Sequence, residues 1–206
     1  MIPKMIHYCW FGGKPLPKDV LDCIKTWEKY CPDYEIKRWD ESNFDVNSHP
    51  FMKAAYEAKA WAFVSDYARL KVVYDNGGIY LDTDEKMEKS LNPFVEKDIA
   101  FMGFEDGKVL SMGVMGFPPK HHIIAELLEY YNQPFSMDII TQNTSNVVIV
   151  TNYLAEKYRL KTDNSEQLIG DVHIYPRTYF NAMDFFGNWD KTSNTTTVHL
   201  YMGSWL

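Results

Sequence analysis

The chain has 206 residues and a formal net charge of −7, with no run of Lys or Arg, which excludes polybasic docking on nucleic acid or an anionic membrane. Hydrophobic residues make up 46% and aromatics 16%, which excludes a disordered chain and predicts one folded domain over 1–206 that buries roughly 70% of its unfolded surface. Three cysteines, Cys9, Cys23 and Cys31, form no Cys-x-x-Cys pair and fit a reducing compartment. The N-terminus enters a strand pattern at once, without an apolar leader, and no stretch reaches the ~20 apolar residues of a membrane span. The expectation is a cytoplasmic protein without a membrane span, with room for peripheral association at the inner face of a membrane.

Met5 to Trp10 reads as a buried first strand, ended by Gly12-Gly13. Trp10 stands at that strand's carboxyl end, where a ring can stack on a ligand base or simply fill core. Pro17 to Cys31 reads as a helix, because Val20, Ile24, Trp27 and Cys31 recur at helical spacing and Pro17 suits a first turn. Tyr34 to Trp39 alternates as a second strand. The β-α-β order predicts a parallel sheet. Residues 42–50 form a polar loop, and helical segments follow over 51–60 and 61–76. Asp66, Arg69 and Val73 share one face of the second helix, so Asp66 and Arg69 form either an exposed ion pair or a pair reaching one cleft.

Gly77 to Glu85, GGIYLDTDE, comes next. Two glycines stop the helix, Ile79 to Leu81 make a short buried strand, and Asp82 and Asp84 follow where the chain leaves the sheet. Ligands of open α/β sheets bind outside the carboxyl ends of strands. Paired carboxylates repel each other, and their hard oxygens favour Mg²⁺, Mn²⁺ or Ca²⁺, with substrate phosphates completing the shell. An EF-hand loop is excluded, because Lys86 and Met87 stand where it needs an oxygen ligand and Gly. A phosphatase of the haloacid-dehalogenase type usually carries Thr or Val where Lys86 stands. A solvated surface turn is the plain alternative.

Strands are predicted over 99–104 and 109–117, joined as a hairpin, with Gly103, Gly113 and Gly116 marking either bulges or close approach to a ligand. Helices are predicted over 120–131 and 145–158, and a strand over 172–175. Residues 181–197 read as polar, irregular and mobile. A last strand covers 198–201, followed by Gly203-Ser204-Trp205.

Three blocks, IHYCWFGG at 6–13, SDYARLKVVYDNGGIYLDTD at 65–84 and VHLYMGSW at 198–205, resemble glycosyltransferase family 32. That superfamily carries a DXD sugar-binding region and includes bacterial polysaccharide-synthesis transferases, fungal α-mannosyltransferases and clostridial toxin glucosyltransferase domains. The resemblance implies a GT-A fold, a Rossmann-like and mainly parallel sheet flanked by helices. Residues 1–90 would be the nucleotide-sugar half, and 91–206 the acceptor half with a C-terminal cap. It also implies a retaining, metal-dependent hexosyltransferase using Mn²⁺ or Mg²⁺. The donor would be UDP-hexose in preference to GDP-mannose, and the acceptor a glycan or lipid-linked oligosaccharide in bacterial surface or capsular polysaccharide synthesis.

By the same resemblance, Trp10 would stack on the base, and Asp66 and Arg69 would hydrogen-bond the hexose. Tyr80 would line the donor pocket. Asp82 would contact ribose, sugar or the metal's hydration shell, Asp84 and His199 would ligate the metal, and Ser204 and Trp205 would cap the diphosphate. Met112 stands where relatives often carry Asn, and Thr-Ser-Asn at 144–146 replaces their Thr-Gly-Pro. Two other classes predict different behaviour: a phosphohydrolase with Asp82 as nucleophile, and a carbohydrate-binding module indifferent to metal.

Overall fold

A computed structural model describes residues 1–134 and 145–203. The first strand, β1 (Met5–Cys9), is followed by helix α1 (Lys18–Tyr30) and strand β2 (Glu35–Trp39), and β1 and β2 pair in parallel as the β-α-β order requires. Val20, Ile24 and Trp27 form the buried face of α1, and the Trp27 indole donates to the Glu85 carbonyl at 2.6 Å. Helices α2 (Pro50–Glu57) and α3 (Trp61–Asn76) come next. Gly77 ends α3 at φ +65°, and Gly78 continues at φ +99°. A Cβ there would lie 2.6 Å from Pro119 or 2.7 Å from the Met5 carbonyl, so both positions need glycine for space as well as conformation.

Strand β3 (Gly78–Leu81) sits beside β1, buried on both faces. The short strand β4 (Glu85–Met87) and the single turn α4 (Asn92–Val95) precede β5 (Ala100–Phe104) and β6 (Leu110–Phe117). Helices α5 (His122–Glu129) and α6 (Asn146–Tyr158) then lead to β7 (Gln167–Ile169), β8 (Val172–Tyr175) and β9 (Thr197–His199).

The main sheet runs β2-β1-β3-β6-β5-β8-β7, and β4 pairs with β9 in a separate antiparallel ribbon. Five strands of the main sheet point one way; β6 and β7 oppose them. The parallel expectation therefore holds for most strands, with the predicted β5–β6 hairpin inserted antiparallel beside β3. Side chains alternate between two cores. Tyr80 and Met102 pack with α2, α3, α5 and α6 on one face, while Ile79 and Phe101 pack with α1 and α4 on the other.

The stretch expected to be irregular and mobile is closed by hydrogen bonds. Residues 182–190 form a hairpin with an isolated antiparallel bridge between Met183 and Trp189. Asp184 Oδ1 accepts from the Phe186 and Asn188 amides at 2.9 and 2.8 Å, an Asx turn that holds the tip.

Candidate active site

The DTD turn links the two sheets. Asp82 leaves β3 with its amide on the Gly113 carbonyl at 2.8 Å, and the Glu85 amide turns back to the Asp82 carbonyl at 3.0 Å. The chain then enters β4, where Glu85 sits opposite His199 of β9. Both acids of the motif thus border one cleft of about 860 Å³ at the carboxyl end of β3.

One wall is a closed polar cluster. Arg69, 7% exposed, reaches from α3 to place Nη2 at 3.3 Å from both Asp66 Oδ1 and Asp82 Oδ1. Its Nη1 donates to the Met112 carbonyl at 2.9 Å and to Asp82 Oδ2 at 3.3 Å. Tyr80 donates its hydroxyl to Asp82 Oδ1 at 2.9 Å and lies under the guanidinium, 4.9 Å from ring centre to Cζ. Asn146, at the start of α6, donates to Asp66 Oδ1 at 2.5 Å. Burial pushes the Asp66 carboxyl up to about 6, against the pull of Arg69 and with a further push from Asp82. On Arg69, burial works against the charge, but Asp82, Tyr80 and Asp66 outweigh it and raise its pKa.

The opposite wall is unfinished. Asp84 Oδ1 lies 3.3 Å from His199 Nε2, and its Oδ2 accepts from the Met202 amide at 2.9 Å. His199 Nδ1 is buried without a hydrogen-bond partner, and so are both carboxylate oxygens of Glu85. The Thr197 hydroxyl, beside Glu85, donates instead to the Phe180 carbonyl at 3.0 Å. Burial, then Asp84 and Asp82, push Glu85 up to about 8, with His199 opposing. Burial alone would lower His199, but Asp84 and Glu85 lift it to about 10.

Gly113 sits between the walls. A Cβ there would come within 3.0 Å of Asp82 Oδ2 and 3.1 Å of Glu85 Oε1, so the backbone marks a point of close approach.

These features meet the chemistry of a divalent cation. Asp82, Asp84 and Glu85 bring three carboxyl groups together, and Arg69 already neutralises Asp82. The unpartnered Glu85 oxygens beside Asp84 and His199 lie where further positive charge is missing, so Asp84, and His199 once a cation displaces its proton, can supply two protein ligands and leave the rest to substrate oxygens. Asp82, the third expected ligand, is held through both its oxygens by Arg69 and Tyr80. Among the described residues, the three side chains whose ligand atoms all lie within 4.8 Å are His121, His122 and Asp171; Asp82, Asp84 and His199 are not gathered that tightly.

That histidine cluster lies elsewhere. It follows β6, whose last residue Phe117 pairs with Gly78 at the beginning of β3, so it sits at the opposite end of the strand from Asp82. His121 Nδ1 accepts from the Ile123 amide at 3.3 Å, leaving its proton on Nε2, which faces Asp171 at 3.2 Å. A metal at Nε2 would displace that proton onto the nitrogen that caps α5. Helix capping accounts for this histidine without a metal.

Trp10 lines the cleft but is 8% exposed, its indole donating to the Lys14 carbonyl at 2.7 Å. Trp61, at the start of α3, is a second cleft tryptophan, packed so closely on Gly12 that a Cβ there would meet its ring at 2.9 Å. Ser204 and Trp205 lie outside the described residues. Asn146, Glu85, Trp61 and the cleft-lining Glu105 went unmarked in the sequence as site residues. The nearest available signal was Glu85, continuing the acid run of the DTD turn.

A family model described as "Glycosyltransferase sugar-binding region containing DXD motif" matches residues 17–100. An uncharacterized glycosyltransferase of Acanthamoeba polyphaga mimivirus is 23% identical over 192 residues, covering 88% of this chain and 76% of that one. Inositol phosphoceramide mannosyltransferase 3 of Schizosaccharomyces pombe is 29% identical over 131 residues, covering 62% of this chain and 36% of that one. The chain therefore spans about a third of that mannosyltransferase. Among solved structures, the galactosyltransferase LgtC, in complex with donor and acceptor sugar analogs, superposes with a TM-score of 0.53 at 16% identity, over 97% of this chain and 87% of that one. That likeness carries the fold. Residues 17–100 resemble the DXD sugar-binding region of glycosyltransferases, and the chain is built on the GT-A fold.

Proposed function

We propose that the chain transfers a hexose from a nucleotide diphosphate sugar to a glycan or lipid-linked acceptor, with a divalent cation and with retention of configuration. The observation that carries this reading is the pairing, in one cleft, of the closed Asp66–Arg69–Asp82 cluster with the unfinished Asp84–His199 wall. The first suits fixed hydroxyl groups, and the second suits a cation and a diphosphate.

Mn²⁺ or Mg²⁺ held by Asp84 and His199 would act as a Lewis acid on the leaving diphosphate. The remaining roles belong to side chains. Asp66 and Arg69 orient the hexose through hydrogen bonds, and their mutual contact fixes both, which is positioning catalysis. Asp82, held by Arg69 and Tyr80, faces the ribose and the sugar. Trp10 and Trp61 form the apolar wall against the base.

Asp66 is tied to Arg69 and Asn146, which suits a hydrogen-bonding role over that of a nucleophile. The reading is therefore front-face transfer, with the leaving phosphate accepting the acceptor's proton. Isolation of a glycosyl-Asp66 adduct would overturn that step. The clamp on Asp82 also argues against a phosphohydrolase using it as nucleophile.

UDP-hexose is the favoured donor. GDP-mannose is its rival, strengthened by the name of the fission-yeast relative. Bacterial surface polysaccharide synthesis on the cytoplasmic side of a membrane would supply a fitting acceptor, and none of the described helices is long and apolar enough to cross one. The test is a thermal-shift panel of UDP-glucose, UDP-galactose and GDP-mannose with and without Mn²⁺. A donor at ~100 times its Kd adds roughly 2.7 kcal/mol of stability. Stabilisation should need both donor and cation; no shift with any pair would refute the reading.

A further inference from the structure

Large apolar side chains that stay exposed are informative when they cluster. Phe185, Phe186 and Trp189 are 74%, 86% and 57% exposed, and all three stand on the hairpin 182–190. The hairpin is built to hold them there. The Asp184 amide donates to the Asn188 carbonyl at 3.0 Å, the Asp190 amide to the Ala182 carbonyl at 2.7 Å, and the Asn188 side chain to Asp184 Oδ2 at 2.9 Å. Gly187 turns the tip at φ +83°. The rings are therefore presented on a closed turn, and little backbone entropy remains to be lost when they are covered.

The tip is continuous with the cleft. Phe185 and Phe186 both line its mouth. Their ring centres are 5.8 Å apart; Phe185 lies 5.7 Å from Tyr201, and Tyr201 stacks at 4.1 Å on His199. An aromatic file thus leads from the cation wall outward, ending in two rings that stand out in solvent.

Charge and area narrow the occupant. Asp190 faces Arg177 at 3.6 Å and Lys191 pairs with Glu88 at 2.5 Å, while the Asp184 carboxylate is held by amide hydrogen bonds of its own turn and keeps its charge. A tip whose charge is negative, on a chain of net charge −7, does not suit an anionic surface. The three rings expose on the order of 400 Å², about half of the ~800 Å² per partner that a stable protein interface buries. Apolar rings at a tip, with Trp189 behind them and Lys191 5.6 Å from its ring centre, match the order of groups across a lipid–water boundary, where Trp sits at headgroup level.

We propose that this hairpin docks on a neutral lipid surface, Phe185 and Phe186 entering the acyl region and Trp189 resting at the headgroups, so that the cleft opens onto the lipid. The proposal rests on the glycosyltransferase reading only for the acceptor's place at that mouth.

Co-sedimentation of the full chain with phosphatidylcholine vesicles tests it. Wild type should pellet with the vesicles, and Phe185→Ser/Phe186→Ser should lower the partition at least tenfold, with unchanged melting because both rings are exposed. Brominated lipid should quench wild-type tryptophan fluorescence, and Trp189→Phe should lose that quenching. Asp84→Asn should pellet like wild type even where it abolishes Mn²⁺-dependent donor binding, so the two readings fail separately. Wild type remaining in the supernatant, or the double variant pelleting equally well, would overturn the proposal. So would self-association without lipid that the double variant abolishes, since that would identify a second copy of the chain as the occupant.

Discussion

Asp82 and Asp84 are one residue apart yet live under opposite conditions. Asp82 is neutralised and fully engaged by Arg69 and Tyr80. Asp84 belongs to a neighbourhood in which His199 Nδ1 and both oxygens of Glu85 lack partners. A satisfied polar cluster positions; an unsatisfied one is completed by what it binds. In the proposed reading the cleft is thus rigid where the sugar's hydroxyl groups would lie and electrostatically open where the diphosphate would lie.

The largest test of the closed half is Arg69→Met. It leaves Asp66 and Asp82 facing each other without their cation, and removal of one member of a buried pair costs about 3–5 kcal/mol. Urea unfolding should register that loss. Adding Asp66→Asn should recover part of it, because one of the stranded charges is then gone. Equal midpoints for wild type and Arg69→Met would show that the cluster is not the rigid half.

Asp84→Asn tests the open half. The fold should persist without metal, because Asn can still accept from the Met202 amide, although loss of the buried Asp84–His199 ion pair should lower the melting temperature. Donor stabilisation by Mn²⁺ should vanish, and kcat/KM should fall about 10²–10³-fold, the scale on which one preorganised electrostatic contact counts. Loss of activity with Mn²⁺-dependent donor binding intact would place the cation elsewhere.

The contrast between the halves also separates what was legible in the sequence from what was not. Helix α1 carries its buried residues at helical spacing, and β1 and β3 are short continuous apolar runs bounded by turn residues, so their places could be read directly. The three- and four-residue elements β4, β7 and α4 have no period to read. Asp66, Arg69, Tyr80 and Asp82 lie within 17 positions of one another, on one helix and the strand it leads into, so local geometry brings them together. Glu85 looks like one more solvated acid after Asp82 and Asp84. Its burial depends on long-range neighbours, β9 more than a hundred residues later among them. Asn146 and Phe185 reach the cleft by comparable long-range placement. The turn at 182–190 has no regular strand, as its irregular sequence suggests, but Asp184 and Gly187-Asn188 are the residues of the Asx turn that closes it.

A gentler probe uses pH. Asp66 has a folded pKa of about 6 against 3.8 for the ordinary carboxyl. Because the folded value is raised, its stabilising contribution is present below 3.8 and is lost as pH rises through 6. Acidification from pH 7 to 5 should therefore cost no stability through Asp66, while it protonates the group proposed to orient the hexose. kcat/KM should fall on the acid side of about pH 6 with the fold intact, and Asp66→Asn should flatten that limb. An acid limb that tracks unfolding instead would remove Asp66 from the sugar's contacts.

The smallest expected effect lies at the seam between the halves. Gly113 has an ordinary negative-φ strand backbone, so alanine is conformationally allowed there, and the cost comes from contact alone. The added methyl would sit 3.0 Å from Asp82 Oδ2 and 3.1 Å from Glu85 Oε1, tighter than ordinary van der Waals contact. Asp82 is pinned by Arg69, so Glu85 is the side that must give, and overpacking of this kind costs about 1 kcal/mol. Gly113→Ala should lower the melting temperature slightly and raise the Mn²⁺ concentration for half-maximal activity several-fold, because Glu85 moves against the Asp84–His199 wall. Unaltered Mn²⁺ dependence alongside the stability loss would mean that Glu85 is structural, and that the open half consists of Asp84 and His199 alone.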